Sequence, residues 1–284
     1  LELAGFGGVF TATEDIRIAL TGAVMRATLD GAPLRWNAAH LLRAGAALNI
    51  GAAETGNYGY LSLGGGIATP MRLGARSAHI GAGVGGPVAA GDELPVAPDA
   101  SGRVGVLIEP VDRFEPKTLR ITQGVHAGLF SDELLARFEA TVFSRDLRGN
   151  RMGVKMNFEG EGFAPPDARS IVSEIVMPGD IQITGDGTPY MLMMECQSMG
   201  GYPRIGTLPP SEIAAFAQAR AGAPLRFRFV GVEEGIEVER ARRAELAKLS
   251  HRVRPLVRRP EDIPDLLSYQ FVSGVVNAQT GDMS

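Results

Sequence analysis

The chain has 284 residues, 45% of them apolar, 21% charged and 6% aromatic, enough to bury more than one sizeable core and too apolar for intrinsic disorder. A formal net charge of −4, from 28 Lys and Arg against 32 Asp and Glu, gives no polyanion-binding signature, so nucleic acid is not an expected partner. Polar residues interrupt every apolar run before the roughly 18 residues of a spanning helix, residues 1–10 lack a signal-peptide pattern, and the single Cys196 cannot make an intrachain disulfide, so the expectation is a cytoplasmic protein with no membrane partner. The chain opens without Met inside an apolar strand, and its natural start is expected elsewhere.

The 37 glycines are nearly twice the average usage of about 7% and predict short strands joined by tight turns. Strands are predicted at Ile16–Leu20, Val24–Leu29, Ala46–Ile50 and Tyr58–Leu63, with Asp30-Gly31 as a hairpin turn, which reads as a meander or barrel. A glycine-rich loop region from Gly64 to Asp92 and a strand at Val104–Glu109 complete a first unit, residues 1–110. Residues 111–232 read as a second unit. Ser131 caps a helix with Asp132 and Glu133 in its first turn and Leu134, Leu135, Phe138 and Val142 on one face. Strands follow at Val154–Phe158, Ile181–Thr184, Tyr190–Met194 and Leu225–Val230, and a second helix at Ser211–Ala219. Residues 233–284 read as a C-terminal helix and tail, the helix Ile236–Ser250 being a surface appendage with a Glu239/Arg243 pair, stopped by Pro255, Pro260 and Pro264; Arg252, Arg254, Arg258 and Arg259 belong to a solvated linker face.

Gly81, Gly83 and Gly86 match a dinucleotide fingerprint only formally, because Pro87 and a Gly91-Asp92 turn follow instead of a helix. The commonest nucleotide-loop, zinc-protease, di-cysteine and serine-hydrolase motifs are missing from the sequence, and His40, His79, His126 and His251 have no metal-ligand spacing, so no metal is expected. Two segments carry chemistry. Asn150-Arg151-Met152-Gly153-Val154-Lys155 places an amide, a guanidinium and an ammonium around a turn that leads into a strand, where an anion can be held. Glu195-Cys196-Gln197-Ser198-Met199-Gly200-Gly201-Tyr202-Pro203-Arg204 sets two glycine N–H groups beside Tyr and Arg donors, the material of an oxyanion hole; the plainer reading is a two-glycine turn with a packed Tyr.

These residues also carry a family likeness. Pro178-Gly179-Asp180-Ile181-Gln182, Gly185-Asp186-Gly187-Thr188-Pro189 and Gln197-Ser198-Met199-Gly200-Gly201-Tyr202-Pro203 resemble the "pG.IQ…dG.P…q.tGGYp" signature of the allophanate hydrolase subunit 2 family, also called the 5-oxoprolinase C-subunit or biotin-dependent carboxyltransferase family. Asn150 to Lys155 resembles its "dRMGyRl", Tyr60 to Ser77 its "YLavaGGi…lGSrST", Ala19 to Ala23 its "aLtGA", and Ser273-Gly274-Val275-Val276 its "isGv". The sequence departs from the family pattern where Gln123-Gly124-Val125-His126 stands for "PGPQ", Gly128 for an Asp, Lys155 for Arg and Glu195 for Asp, and the family's opening "tvQDlGR.G" segment is not in it.

The resemblance implies a mainly β fold of two cyclophilin-like β-barrels. It also implies a partner, the family's B subunit, which is of the allophanate hydrolase subunit 1 or kinase-inhibitor-like type, with an A subunit to complete the enzyme. The implied reaction is either ATP-dependent opening of the 5-oxoproline lactam to glutamate, or carboxyl transfer from biotin on a separate chain to a urea-like amide; some relatives are instead non-enzymatic antagonists of a kinase inhibitor. Both reactions develop anionic oxygen on a small amide, which asks for cationic and N–H donors and a proton carrier. By side-chain chemistry the catalytic candidates are Arg151 and Lys155 for anionic oxygen, Tyr202 for an oxyanion, and Glu195 and His126 for proton transfer. Asn150, Gln182, Gln197, Gly200, Gly201 and Arg204 are the candidates for binding substrate.

Overall fold

The computed structural model describes residues 1–100, 102–109, 118–166 and 171–257. The first unit contains β1 (Glu2–Ala4), β2 (Val9–Thr11), β3 (Ile16–Gly22), β4 (Met25–Leu29), β5 (Ala32–Pro33), β6 (Ala38–Leu42), β7 (Ala47–Ala53), β8 (Tyr58–Leu63) and β9 (Val106–Ile108). The second contains β10 (Thr118–Gln123), α1 (Asp132–Ala140), β11 (Phe143–Arg145), β12 (Gly153–Asn157), β13 (Glu174–Ile175), β14 (Asp180–Ile183), β15 (Pro189–Leu192), β16 (Met199–Gly200), β17 (Arg204–Thr207), α2 (Pro210–Gln218) and β18 (Pro224–Val230). After them come α3 (Val232–Ala247) and β19 (Val253–Pro255).

Alternation builds the first unit. Ile18, Leu20 and Leu61 from a six-stranded sheet, in the order β1-β8-β3-β6-β9-β19, share one core with Met25, Leu48 and Ile50 from a four-stranded sheet, β2-β7-β4-β5. Asp30 and Gly31, with φ of 49° and 85°, form the two-residue turn between β4 and the short β5, the positive-φ pair that a hairpin twist requires. In the second unit seven strands close a barrel in the order β10-β17-β14-β15-β12-β11-β18, completed by parallel pairing of β18 with β10. Its interior holds Leu119, Ile121, Val154, Met156, Ile181, Ile183, Met191, Ile205, Leu225 and Phe227. Phe138 of α1 is fully buried and meets the rings of Phe143, Phe163 and Phe227 at 4.8, 5.1 and 5.6 Å. Ser131 caps α1 by accepting the N–H of Leu134, as its position before the acidic first turn predicts; the helix ends at Ala140, so Val142 lies outside it and is exposed.

The C-terminal helix is more than a surface appendage. α3 begins at Val232, packs on β10 and α2, and turns Glu239 toward the N-terminus of α2, where its carboxylate accepts the Ser211 N–H. The chain then adds β19 to β9 at the edge of the first sheet. A seam of partly buried polar groups ties the units: Asn57 donates to the carbonyls of Ala217 and Ala219, the Gln218 side chain accepts from the Asn57 and Tyr58 N–H groups, and the buried Arg145 donates to Ala219 O beside Tyr58. Pro110, Arg258, Arg259, Pro260, Pro264 and Ser273 to Val276 lie outside the described residues.

Candidate functional site

Because side chains alternate along strands, packing Val154, Met156, Ile181, Ile183, Met191 and Ile205 inside the barrel sends their neighbours outward. Lys155 pairs with Tyr190, Tyr190 with Gln182 and Gln182 with Arg204, so four polar side chains form one row across β12, β15, β14 and β17, each step about 4.8 Å. The Arg204 end of the row is covered by a ribbon made of β13 and β16, in which Glu174 lies opposite Gly200 and Ile175 opposite Met199.

Under that ribbon Arg204 is 7% exposed. Its guanidinium donates to Glu174 Oε2 at 2.6 Å, Ile175 O at 2.8 Å and Asp180 Oδ2 at 3.3 Å. Asp180 is held in turn by the Thr207 hydroxyl at 2.6 Å and the Met177 N–H at 2.9 Å. His126 Nδ1 accepts the Arg204 N–H at 3.3 Å, which puts the proton of the neutral ring on Nε2, 3.6 Å from Glu174. Gln197 donates to Gln182 Oε1 at 3.4 Å. Burial, reinforced by the negative charge of Asp180, pushes the Cys196 thiol up in pKa, which disfavours the thiolate.

Two residues before Gln197 the same segment enters a second cluster. Asn150 Oδ1 accepts the N–H groups of Met152 and Gly153 and fixes the turn that presents Arg151. Arg151 donates through Nε to Glu195 and through Nη1 to Glu2, both at 2.5 Å. Burial works against the Arg151 charge, but bonds and charge from Glu2 and Glu195 outweigh it and hold the proton more firmly than usual. Tyr60 donates its hydroxyl to Glu2 at 3.1 Å, and burial first, then the Glu2 charge, pushes its pKa up to about 12. His79 Nδ1 stands 4.0 Å from Glu195, yet that nitrogen accepts the Ala82 N–H at 3.1 Å, so it is not the protonated partner of an ion pair.

The sequence-derived candidates are thus distributed along one wall. Arg151, Glu195 and Asn150 share one cluster; His126, Gln182, Gln197, Gly200 and Arg204 share the other; and the Glu195-Cys196-Gln197 segment joins them over about 7 Å. Gly201 stands beside Ser173, and Tyr202 is 49% exposed at the margin. Lys155 lines a polar cleft of about 290 Å³ with Asn157, Asp186 and Thr188. Sequence reasoning misses Glu2, Tyr60, His79, Glu174 and Asp180 as site residues. Asp180, inside the Gly179-Asp180-Ile181-Gln182 run, and Tyr60, at the head of the Tyr60-to-Ser77 run, stand within quoted motifs, but their partners arrive through long-range pairing such as β1 with β8. Among the described residues no three His, Cys, Asp or Glu side chains form a metal-binding group, and no helix is long and apolar enough to cross a membrane.

Taken together, the chain is mainly β, and its closed barrel carries two arginines, each braced by two carboxylates. The family model described as "Carboxyltransferase domain, subdomain A and B" matches residues 1–229, and the chain belongs to that family. It is similar to the C subunit of 5-oxoprolinase from Haemophilus influenzae, 27% identical over 231 residues that cover 80% of this chain and 74% of that one. The urea amidolyase of Lachancea kluyveri is 26% identical over 244 residues, 76% of this chain but 13% of the amidolyase. The crystal structure of TTHA0988 superposes with a TM-score of 0.70 at 28% identity, covering 80% of this chain; the chain spans 44% of that protein's length.

Proposed function

We propose that the chain acts as the C subunit of a 5-oxoprolinase-type enzyme that opens a lactam to glutamate in an ATP-dependent assembly, together with the B and A subunits of that system. The observation that carries this reading is the ordered set of Arg151, Glu195, Gln182 and Arg204, held on a scaffold similar over 80% of its length to a protein named as that subunit. In this reading Glu195 moves the proton. Arg151, whose charge is already balanced by Glu2 and Glu195, orients that carboxylate and leaves no free cation for substrate. His126 offers its Nε2 proton toward Glu174, Gln197 steadies Gln182, Tyr202 borders the entrance, and Lys155 attracts the anionic end of the substrate from the adjoining cleft.

The one glycine run that formally matches a nucleotide fingerprint does not form a phosphate cradle. The Gly81–Gly86 run carries one 3-10 turn, Ile80–Ala82, and no α-helix N-terminus that would cradle phosphates. In this reading the ATP is bound with the partner subunits. Glutamate formed from 5-oxoproline and ATP only when this chain is co-assembled with both partners supports the reading; a well-assembled complex that forms none overturns it.

A second reading, carboxyl transfer to a urea-like amide, is favoured by the description of the family model and by the urea amidolyase relative. These 284 residues contain no Ala-Met-Lys-Met biotinylation motif, so in this reading the biotin is carried outside them. Inhibition of the assembled activity by avidin separates this reading from the first.

A further inference from the structure

Two buried donors on the covered part of the wall lack acceptors among the described residues: Gln182 Nε2 and Arg204 Nε, on residues 3% and 7% exposed. Gln182 and Arg204 are register partners on β14 and β17, so the two side chains leave neighbouring strands on the same face. Other polar atoms in the cluster are matched. Arg204 spends its terminal nitrogens on Glu174, Asp180 and Ile175, and Gln182 Oε1 is taken by Gln197, leaving the Gln182 NH2 group and one Arg204 N–H to face a ligand. Leaving adjacent donors unmatched in a desolvated place is costly, and such pairs call for an acceptor.

The cover is built around them. A Cβ on Gly200 would stand 2.4 Å from Gln182 Nε2 and 3.1 Å from Val176 Cγ1, so the glycine lets the ribbon ride directly over the amide. That is a different reason for the double glycine than donation of N–H groups. The ribbon is only two residues per strand, and its outward side chains, Ile175 and Met199, are 71% and 50% exposed, so few apolar contacts hold it down.

We propose that Gln182 Nε2 and Arg204 Nε form a two-donor subsite for the carbonyl oxygen of a small planar amide, reached when the β13–β16 ribbon lifts. The inference deepens the lactam reading by naming what the site recognises, yet the donor pair suits a urea-like carbonyl equally. The subsite makes the oxygen the specificity element. A five-membered amine lacking it leaves both donors unmatched and is rejected.

The test uses the side-chain NH2 resonances of Gln182 in the full chain, assigned by their loss in Gln182→Met and followed with 5-oxoproline, urea and proline as probes. The expected result is a saturable shift with 5-oxoproline or urea and none with proline. Gln182→Met should weaken binding of the effective probe about tenfold while melting close to the wild-type temperature, because it removes an unmatched buried donor and gives up only the long 3.4 Å bond from Gln197. Resonances unmoved by every probe, an equal response to proline, or a melting temperature that falls as for a core substitution would overturn the subsite. The assembled complex keeps the two ideas apart: no glutamate despite a shifted Gln182 sinks the lactam reading and leaves the subsite, whereas glutamate formation with an unchanged KM in Gln182→Met sinks the subsite alone.

Discussion

Replacing Arg204 by Met tests whether the wall is as desolvated as described. The substitution keeps most of the volume but removes the bonds to Glu174, Asp180 and Ile175. Glu174 is half exposed and can be rehydrated, so its loss counts for little. Asp180 is 4% exposed; it keeps Thr207 and Met177 but is left a buried carboxylate with no cation. Stranding one member of a buried pair costs about 3–5 kcal/mol. At about 3 °C per kcal/mol for a cooperative unit of this size, Arg204→Met should lower the melting temperature by about 9–15 °C. Arg26 bonds Glu54 at 2.9 Å with a side chain that is 83% exposed, and Arg26→Met is the control, with an expected loss of at most about 1 kcal/mol. Differential scanning calorimetry of both variants at neutral pH reads the difference. A fall under about 3 °C for Arg204→Met, or equal falls for the two, would refute a water-excluded arginine.

Phe138→Ala removes the ring at the centre of the aromatic core and should cost about 3–5 kcal/mol, read as a lowered melting temperature with lost near-ultraviolet dichroism. Tyr60 gives a pH signature. Its folded pKa of about 12 exceeds the unfolded value near 10, so its contribution to stability is complete below about pH 10 and is lost as pH rises toward about 12. The ultraviolet phenolate titration of wild type minus Tyr60→Phe should show a group titrating near pH 12, and an ordinary phenol midpoint near 10 would contradict the Glu2 contact. Glu195→Gln should leave the fold and the Arg151 contact intact, since an amide oxygen still accepts from Nε.

What was legible in the sequence follows the range of the interactions. Leu225-Arg226-Phe227-Arg228-Phe229 alternates so cleanly that β18 was readable, and Asp30-Gly31 announced its turn. Ala38–Leu42 alternates as well, buried at every second position, but its alanines carry too little hydrophobic contrast to mark a strand. Arg204–Thr207 hid behind Pro203 and a glycine, although it carries the central arginine of the wall. Arg151, Glu195 and Arg204 were found by local chemistry, and Gln182 through the family likeness. Their carboxylate partners Glu2 and Glu174 were not, because Glu2 reaches Arg151 across 149 residues and Glu174 reaches Arg204 across 30. The sequence therefore pointed to free cations where the fold supplies neutralised ones, and only the pairing reveals that Gln182 and Arg204 keep a donor in hand.

The most direct test of the central claim is steady-state turnover of 5-oxoproline by the complex assembled with wild-type chain and with Glu195→Gln. The account expects the variant to assemble and melt like the wild type while kcat falls by about 10²-fold or more, the usual contribution of a positioned acid or base. Undiminished kcat in an intact Glu195→Gln complex would remove Glu195, and with it the Arg151-braced site, from the chemistry.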